Sequence, residues 1–213
     1  VSATIDDIET GNCGGGCTLP DGRYYLEKID LSAGDDLDFD TSSGDIKLAV
    51  EDYIHLPDTG SETNVSVIGS GRVTIYVAGE EGTNDDCHYA KCHLAIGKNS
   101  VVHVPGDEST RLRIYGKQDF KTTLQGAGTN HAEFTGVVYA PAGTGGAGEA
   151  YFHHSHLYGA IITGNAIVDN KAHLHYDQAL RGDKIAPSSG PSDDIARITY
   201  LHISVNKVRI SGD

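Results

Sequence analysis

Histidine and acidic residues recur in this chain at a spacing of two. His131 with Glu133, His154 with His156, and His173 with His175 each form an i, i+2 pair. A strand alternates its side chains, so both members of such a pair share one face. The string Phe134-x-Gly136-Val137-Val138 returns 23 residues later as Leu157-x-Gly159-Ala160-Ile161. Aligning the two sets His131 and Glu133 beside His154 and His156, and the third pair repeats the spacing 19 residues further on. Neighbouring strands lie about 4.8 Å apart. Imidazoles from adjoining strands can then converge on one zinc, copper or nickel ion at about 2.0–2.1 Å from each nitrogen. The competing expectation is a polar outer face of neutral rings, solvated or packed beside Tyr151 and Tyr158. A one-residue slip would turn one pair to the opposite face. His175 also has a structural alternative, a hydrogen bond to Asp177 or to a backbone carbonyl.

Asp36, Asp38 and Asp40 alternate with Leu37 and Phe39. A strand would hold the three carboxylates on one face about 6.6 Å apart, which makes calcium a weak candidate and a solvated acidic face the competing expectation. The helix-loop calcium motif is not met, because Thr41 and Ser42 stand where its glycine belongs. The four cysteines form two local pairs, Cys13 with Cys17 and Cys87 with Cys92. Two small-loop disulfides are the leading expectation, although four cysteines permit three connectivities. The spacings also suit a four-thiolate zinc site. Cys87, Cys92 and His93 form a stretched version of the haem c attachment pattern, with four residues between the thiols instead of two. Asn64-Val65-Ser66 is a weak acceptor sequence for N-glycosylation.

These residues need strands to position them. Segments 64–79, 92–106, 112–126, 132–143 and 156–170 are short β-branched runs that alternate and are punctuated by glycine. The only helical pattern is a short one near Asp177 to Leu180. With 27 glycines, 6 prolines and no tryptophan, the composition favours many short strands. The 23-residue recurrence predicts an all-β chain built as a β-solenoid (β-helix) with short rungs, in which each turn buries the small and β-branched face of the next. A β-sandwich is the alternative. Residues 1–180 form the predicted domain, with an irregular N-terminal segment. The Gly-, Pro-, Ser- and Asp-rich stretch 181–194 is a linker, and 195–213 is a terminal strand or pair that packs on the same domain or a neighbour.

A net charge of −14 repels phosphate backbones and anionic headgroups, which disfavours nucleic acid and membrane surfaces as partners. No run of 18 apolar residues is present, so no direct membrane insertion is expected here. The chain starts at Val1 and has no methionine, which a signal or anchor removed upstream and an excised fragment explain equally well. No Gly-x-Ser-x-Gly elbow, phosphate-binding glycine loop or His-Glu-x-x-His helix occurs. β-Helices do host enzymes that cleave acidic polysaccharides with calcium and a basic residue. Lys117, Arg111 and Arg113 are candidates for that residue, with nothing to select among them.

The strings Phe134-x-Gly136-x-x-Tyr139-Ala140-Pro141, Gly159-Ala160-Ile161-Ile162 and His175-Tyr176-Asp177-x-x-Leu180 resemble an uncharacterised domain of minor-pilin-like and other surface proteins of bacteria and salt-loving archaea. The resemblance runs from about Val65 to Leu180. It implies a β-helical, extracellular or cell-surface structural module and brings no catalytic residues. The resulting expectation is a non-enzymatic, pilus- or filament-associated protein that acts by self-assembly or by adhesion to surface proteins or glycans, with no required cofactor. A metal-binding module using the histidines and a carbohydrate-active β-helix enzyme are the alternatives.

Overall fold

The computed structural model describes residues 5–79, 92–117, 119–140, 148–177 and 180. Helix α1 (Ile5–Glu9) leads into a first circuit of three strands, β1 (Cys17–Pro20), β2 (Gly22–Leu26) and β3 (Ile29–Asp30). The second circuit is β4 (Asp36–Thr41), β5 (Ile46–Val50) and β6 (Ile54–Leu56). The third is β7 (Thr63–Gly69), β8 (Val73–Val77) and β9 (Leu94–Ile96). The fourth is β10 (Ser100–His103), β11 (Leu112–Gly116) and β12 (Lys121–Gln125). In the next two, one long strand replaces the first two short ones. They are β13 (Ala132–Ala140) with β14 (Glu149–His153), and β15 (Ser155–Thr163) with β16 (Asn165–Asp169). Strand β17 (His173–Tyr176) is the last described.

Every pairing between these strands is parallel, and each strand pairs with its counterparts in the circuits before and after it. The protein is therefore all-β with parallel sheets, one of eleven strands and one of six. The antiparallel ladders of a β-sandwich are not found among the described residues, where antiparallel pairing is confined to an isolated bridge between Ala127 and Asn130.

The alternation read from the sequence is what closes the core. In β4, Leu37, Phe39 and Thr41 point inward and the three aspartates outward. The register then lays Cys17, Leu37, Val65, Val102, Phe134 and Leu157 over one another, all buried. A second inward column runs Leu56, Ile96, Leu124, Phe152. All four phenylalanines are buried. The segment before residue 30, expected to be irregular, contains α1 and a complete circuit. Its strands of two to five residues lie between glycines and are too short to show a period. Cys13 and Cys17 form a disulfide there, as anticipated, which rules them out as zinc thiolates. Near Asp177 to Leu180, where a short helix was expected, Leu180 has 3₁₀ geometry and donates its N–H to the Asp177 carbonyl at 3.1 Å. The linker and terminal strand anticipated over 181–213 lie outside the described residues.

Two close approaches fix the bends. At Gly159, φ is +137° and a Cβ would stand 2.0 Å from the Gly136 carbonyl oxygen, so only glycine fits where β13 and β15 turn from one arm of the large sheet to the other. Buried Arg111 ties the corners of two circuits together. Its guanidinium donates to the carbonyls of Gly71 (3.0 Å) and Gly69 and lies 3.5 Å from the Thr41 hydroxyl. Replacing Arg111 with alanine removes the buried guanidinium that holds those carbonyls, and urea unfolding should register a loss of about 1–3 kcal/mol. An unchanged midpoint would show the corners to be held by the backbone alone.

Candidate histidine face

Strands β13, β15 and β17 carry Glu133, His156, His173 and His175, while His131 and His154 stand immediately before β13 and β15. Glu133 lies beside His156 and Phe134 beside Leu157, the register expected from the Phe-x-Gly repeat. The third pair is displaced from its expected place. His173 pairs with His156, and His175 with Tyr158, so the last circuit is offset by two residues. The reason is that Tyr176, not a glycine, stands opposite Gly159. With no further described strand to crowd it, that position loses its need for glycine, and the repeat gives no guide to the register.

The rings stack in preference to converging. His156 meets His131 edge-on at 4.8 Å between ring centroids and His173 nearly face-to-face at 4.9 Å, and His175 stacks on Tyr158 at 4.6 Å. Parallel rings aim their lone pairs side by side. Accordingly, among the described residues no three His, Cys, Asp or Glu side chains stand around a common point as a metal would need. His154 occupies the corner between β14 and β15 with φ +45°, and its buried ring lies 4.6 Å from that of His153. Sequence reasoning passed over His153, which lies at an outward position of β14 beside Asp169 of β16.

Hydrogen bonds set the tautomers. The Nδ1 atoms of His131, His153 and His154 each face a backbone carbonyl, that of His154, Gly126 and Gly128 respectively, at 3.3, 3.3 and 3.1 Å. A carbonyl only accepts, so in the neutral rings the proton sits on Nδ1 and the Nε2 lone pair is left over. His156 differs. Its Nδ1 is buried and has no hydrogen-bond partner among the described residues. Desolvation, then the neighbouring histidines, lowers the pKa of His156, and desolvation followed by His153 lowers that of His154.

Asp36, Asp38 and Asp40 do line one outward face, as expected. Burial first, then the charges of Asp36 and Asp40, raises the pKa of Asp38. Hydrogen bonds from Ser42 lower that of Asp40. Register shows what the sequence concealed, that aspartates and histidines share a sheet face. One outward column runs Asp36, Asn64, Val101, Glu133, His156, His173. Asn64, the glycosylation candidate, points outward in that column and donates its amide to Asp36 at 3.0 Å.

The remaining candidates among the described residues make contacts within the fold. His93 is buried, stacks on Phe120 at 5.1 Å, and accepts the Lys121 backbone N–H at Nδ1 (2.8 Å) while its other edge bonds the Gly79 backbone. Neither ring nitrogen is left for an axial bond to haem. Cys92 is disulfide-bonded, and Cys87 lies outside the described residues. Arg113 is buried with Nε donating to the Thr110 carbonyl at 3.0 Å, and Lys117 donates to the Gly79 carbonyl. Together with Arg111, these cations hold backbone together.

Over residues 1–183 the chain matches the family described as "Domain of unknown function (DUF7305)", and it belongs to that family. No curated protein matches it. No solved structure matches it either.

The buried His93 makes stability depend on pH. Burial first, then the charges of Lys117 and Lys121, lowers its pKa from 6.5 to about 4. The unfolded chain therefore binds more protons between those values, and stability falls as pH drops through that window. The full effect approaches about 3 kcal/mol near pH 4. His93→Phe keeps the stack on Phe120 and removes the titration. Thermal melts should show the variant less stable at pH 7 but with a flatter profile from pH 7 to 4, whereas parallel profiles would exclude His93 as the source.

Proposed function

We propose that this chain is a β-solenoid, a rigid structural module that works by association and adhesion at the cell surface. The run of parallel pairings, with each circuit laid on the one before, supports the solenoid. The Cys13–Cys17 disulfide suits an oxidising compartment, and the pilin-associated resemblance points the same way.

The observation that carries the reading is the contrast between the two ends of the stack. At one end α1 covers the first circuit, burying Ile8 completely. At the other, both inward columns run out into solvent. Val168 extends the column of Phe152 and is 45% exposed, and Leu174 extends that of Leu157 and is 36% exposed. Inward-facing apolar residues that remain open in this way mark an association surface. Contact between two such ends gives a two-fold pair. Growth into a filament would need a second contact on a side face, since α1 occupies the other end.

Sedimentation across a wide concentration range, paired with electron microscopy, tests this. The full chain should associate, and Val168→Asp with Leu174→Asp should render it monomeric with an unchanged circular dichroism spectrum. A full chain that stays monomeric throughout overturns association through this end. Stronger association by a chain ended after Asp183 would assign the cover to residues 184–213.

A second reading has its own observation, the unpartnered buried Nδ1 of His156 beside His131 and His173. With modest ring rotation, these residues and Glu133 would hold a zinc, copper or nickel ion. The protein purified without affinity tags should then carry close to one metal ion by mass spectrometry, lose it below about pH 5 as the imidazoles protonate, and fail to bind it as His156→Ala. Absence of metal after dialysis against zinc would end this reading.

A further inference from the structure

The arm of the large sheet that carries β2, β5, β8, β11 and the second half of β13 has an outward face distinct from the histidine face. Register places Tyr25, Ala49, Tyr76, Tyr115 and Tyr139 in one column across these five strands. Four of the five are tyrosines, on strands spanning about 19 Å in total. Tyr76 and Tyr115 stack at 5.2 Å with planes 18° apart, and Tyr139 continues the row at 6.1 Å from Tyr115. Tyr25 and Tyr76 are 62% and 45% exposed. Between them Ala49 leaves a notch two strand spacings wide, about 9.6 Å. The Tyr25 hydroxyl is held by Glu51 at the column's edge.

A second outward column stands two residues away, and in it Arg23 is the direct neighbour of Lys47. Both are exposed, and neither has an ion pair among the described residues. Like charges directly opposite on a sheet are destabilising. In a chain with 16 basic residues against 30 acidic ones, two of the cations thus stand side by side next to the tyrosine row.

We infer that this face is a binding track for an acidic polysaccharide, laid across the strands along the axis of the stack. Tyrosine supplies flat apolar rings for the C–H faces of sugars, and a hydroxyl at the rim. The Ala49 notch admits one sugar ring between Tyr25 and Tyr76, and Arg23 and Lys47 meet its carboxylate or sulfate. The net charge of −14 does not forbid this, because fields from charges farther than about 10 Å are screened at 0.1 M salt. The track lies on a side face and is independent of association through the open end.

Affinity electrophoresis of the full chain, in gels containing polygalacturonate or neutral dextran, tests the inference. The chain should be retarded by polygalacturonate and not by dextran. Tyr76→Ala and Lys47→Glu, at exposed positions and with unchanged melting temperature, should each weaken retardation about tenfold. Tyr76→Ala separates ring stacking from attraction by charge alone. Equal retardation in dextran would overturn the acidic class, and no retardation in either gel, or retardation unaffected by Tyr76→Ala, would overturn the track.

Discussion

Each circuit of this chain must present its inward side chains at the positions where the previous circuit left them. Parallel pairing in register enforces this, and everything else in the structure depends on it. A slip of one residue would turn Leu37 and Phe39 outward and drive Asp36, Asp38 and Asp40 into the core. The desolvation penalty for three carboxylates would far exceed what burying two apolar side chains returns. The same constraint explains the glycines at the bends. When Gly136 and Gly159 lie directly over one another, there is no room for a Cβ between successive circuits. It also gives Arg111 its place, where a single guanidinium donates to two carbonyls at the corners.

How much of this was legible in the sequence depended on whether a residue's role was local or stacked. Alternation and glycine punctuation are local, and they revealed the strands from Asn64 onward. The Phe134 and Leu157 strings match because both sit at a crowded bend, and that match was enough to set β13 against β15. It failed one circuit later, where Tyr176 stands at the position of the glycine and the interval shortens to the 17 residues between Leu157 and Leu174. Strands β1 to β3 were hidden for another reason. Two to five residues are too few to show a period, and their stability comes from the circuit above them.

The candidate site was legible in its residue types but not in its geometry. Spacing of two places His173 and His175 on one face of β17, whereas His154 lies outside β15, buried at a corner with φ +45°, where alternation does not apply. It carried no information about ring planes, and stacking of His156 with His173 and of His175 with Tyr158 follows from packing between strands. Nor did it reveal that the acidic run at Asp36 and the histidines belong to one column. That link passes through Asn64, Val101 and Glu133, residues with no shared chemistry to mark them. His93 misled in the opposite sense. Its place after Cys92 suggested cofactor chemistry, whereas burial against Phe120 and the bond from Lys121 make it a neutral part of the core.

A stack of this kind separates its surfaces cleanly. The inward columns consume the apolar residues, and each outward column is free to repeat one chemistry over many strands at the cost of a single side chain per circuit. The first arm grades from aspartate to histidine, and the second sets tyrosines beside cations. Because both rows are held at the strand spacing by backbone ladders, their side chains lose little further freedom on meeting a partner. A repeating ligand can therefore be matched by repetition alone, without a pocket. The same logic leaves only the ends unsatisfied: α1 closes one of them, while at the other Val168 and Leu174 continue columns that have no neighbour above them among the described residues.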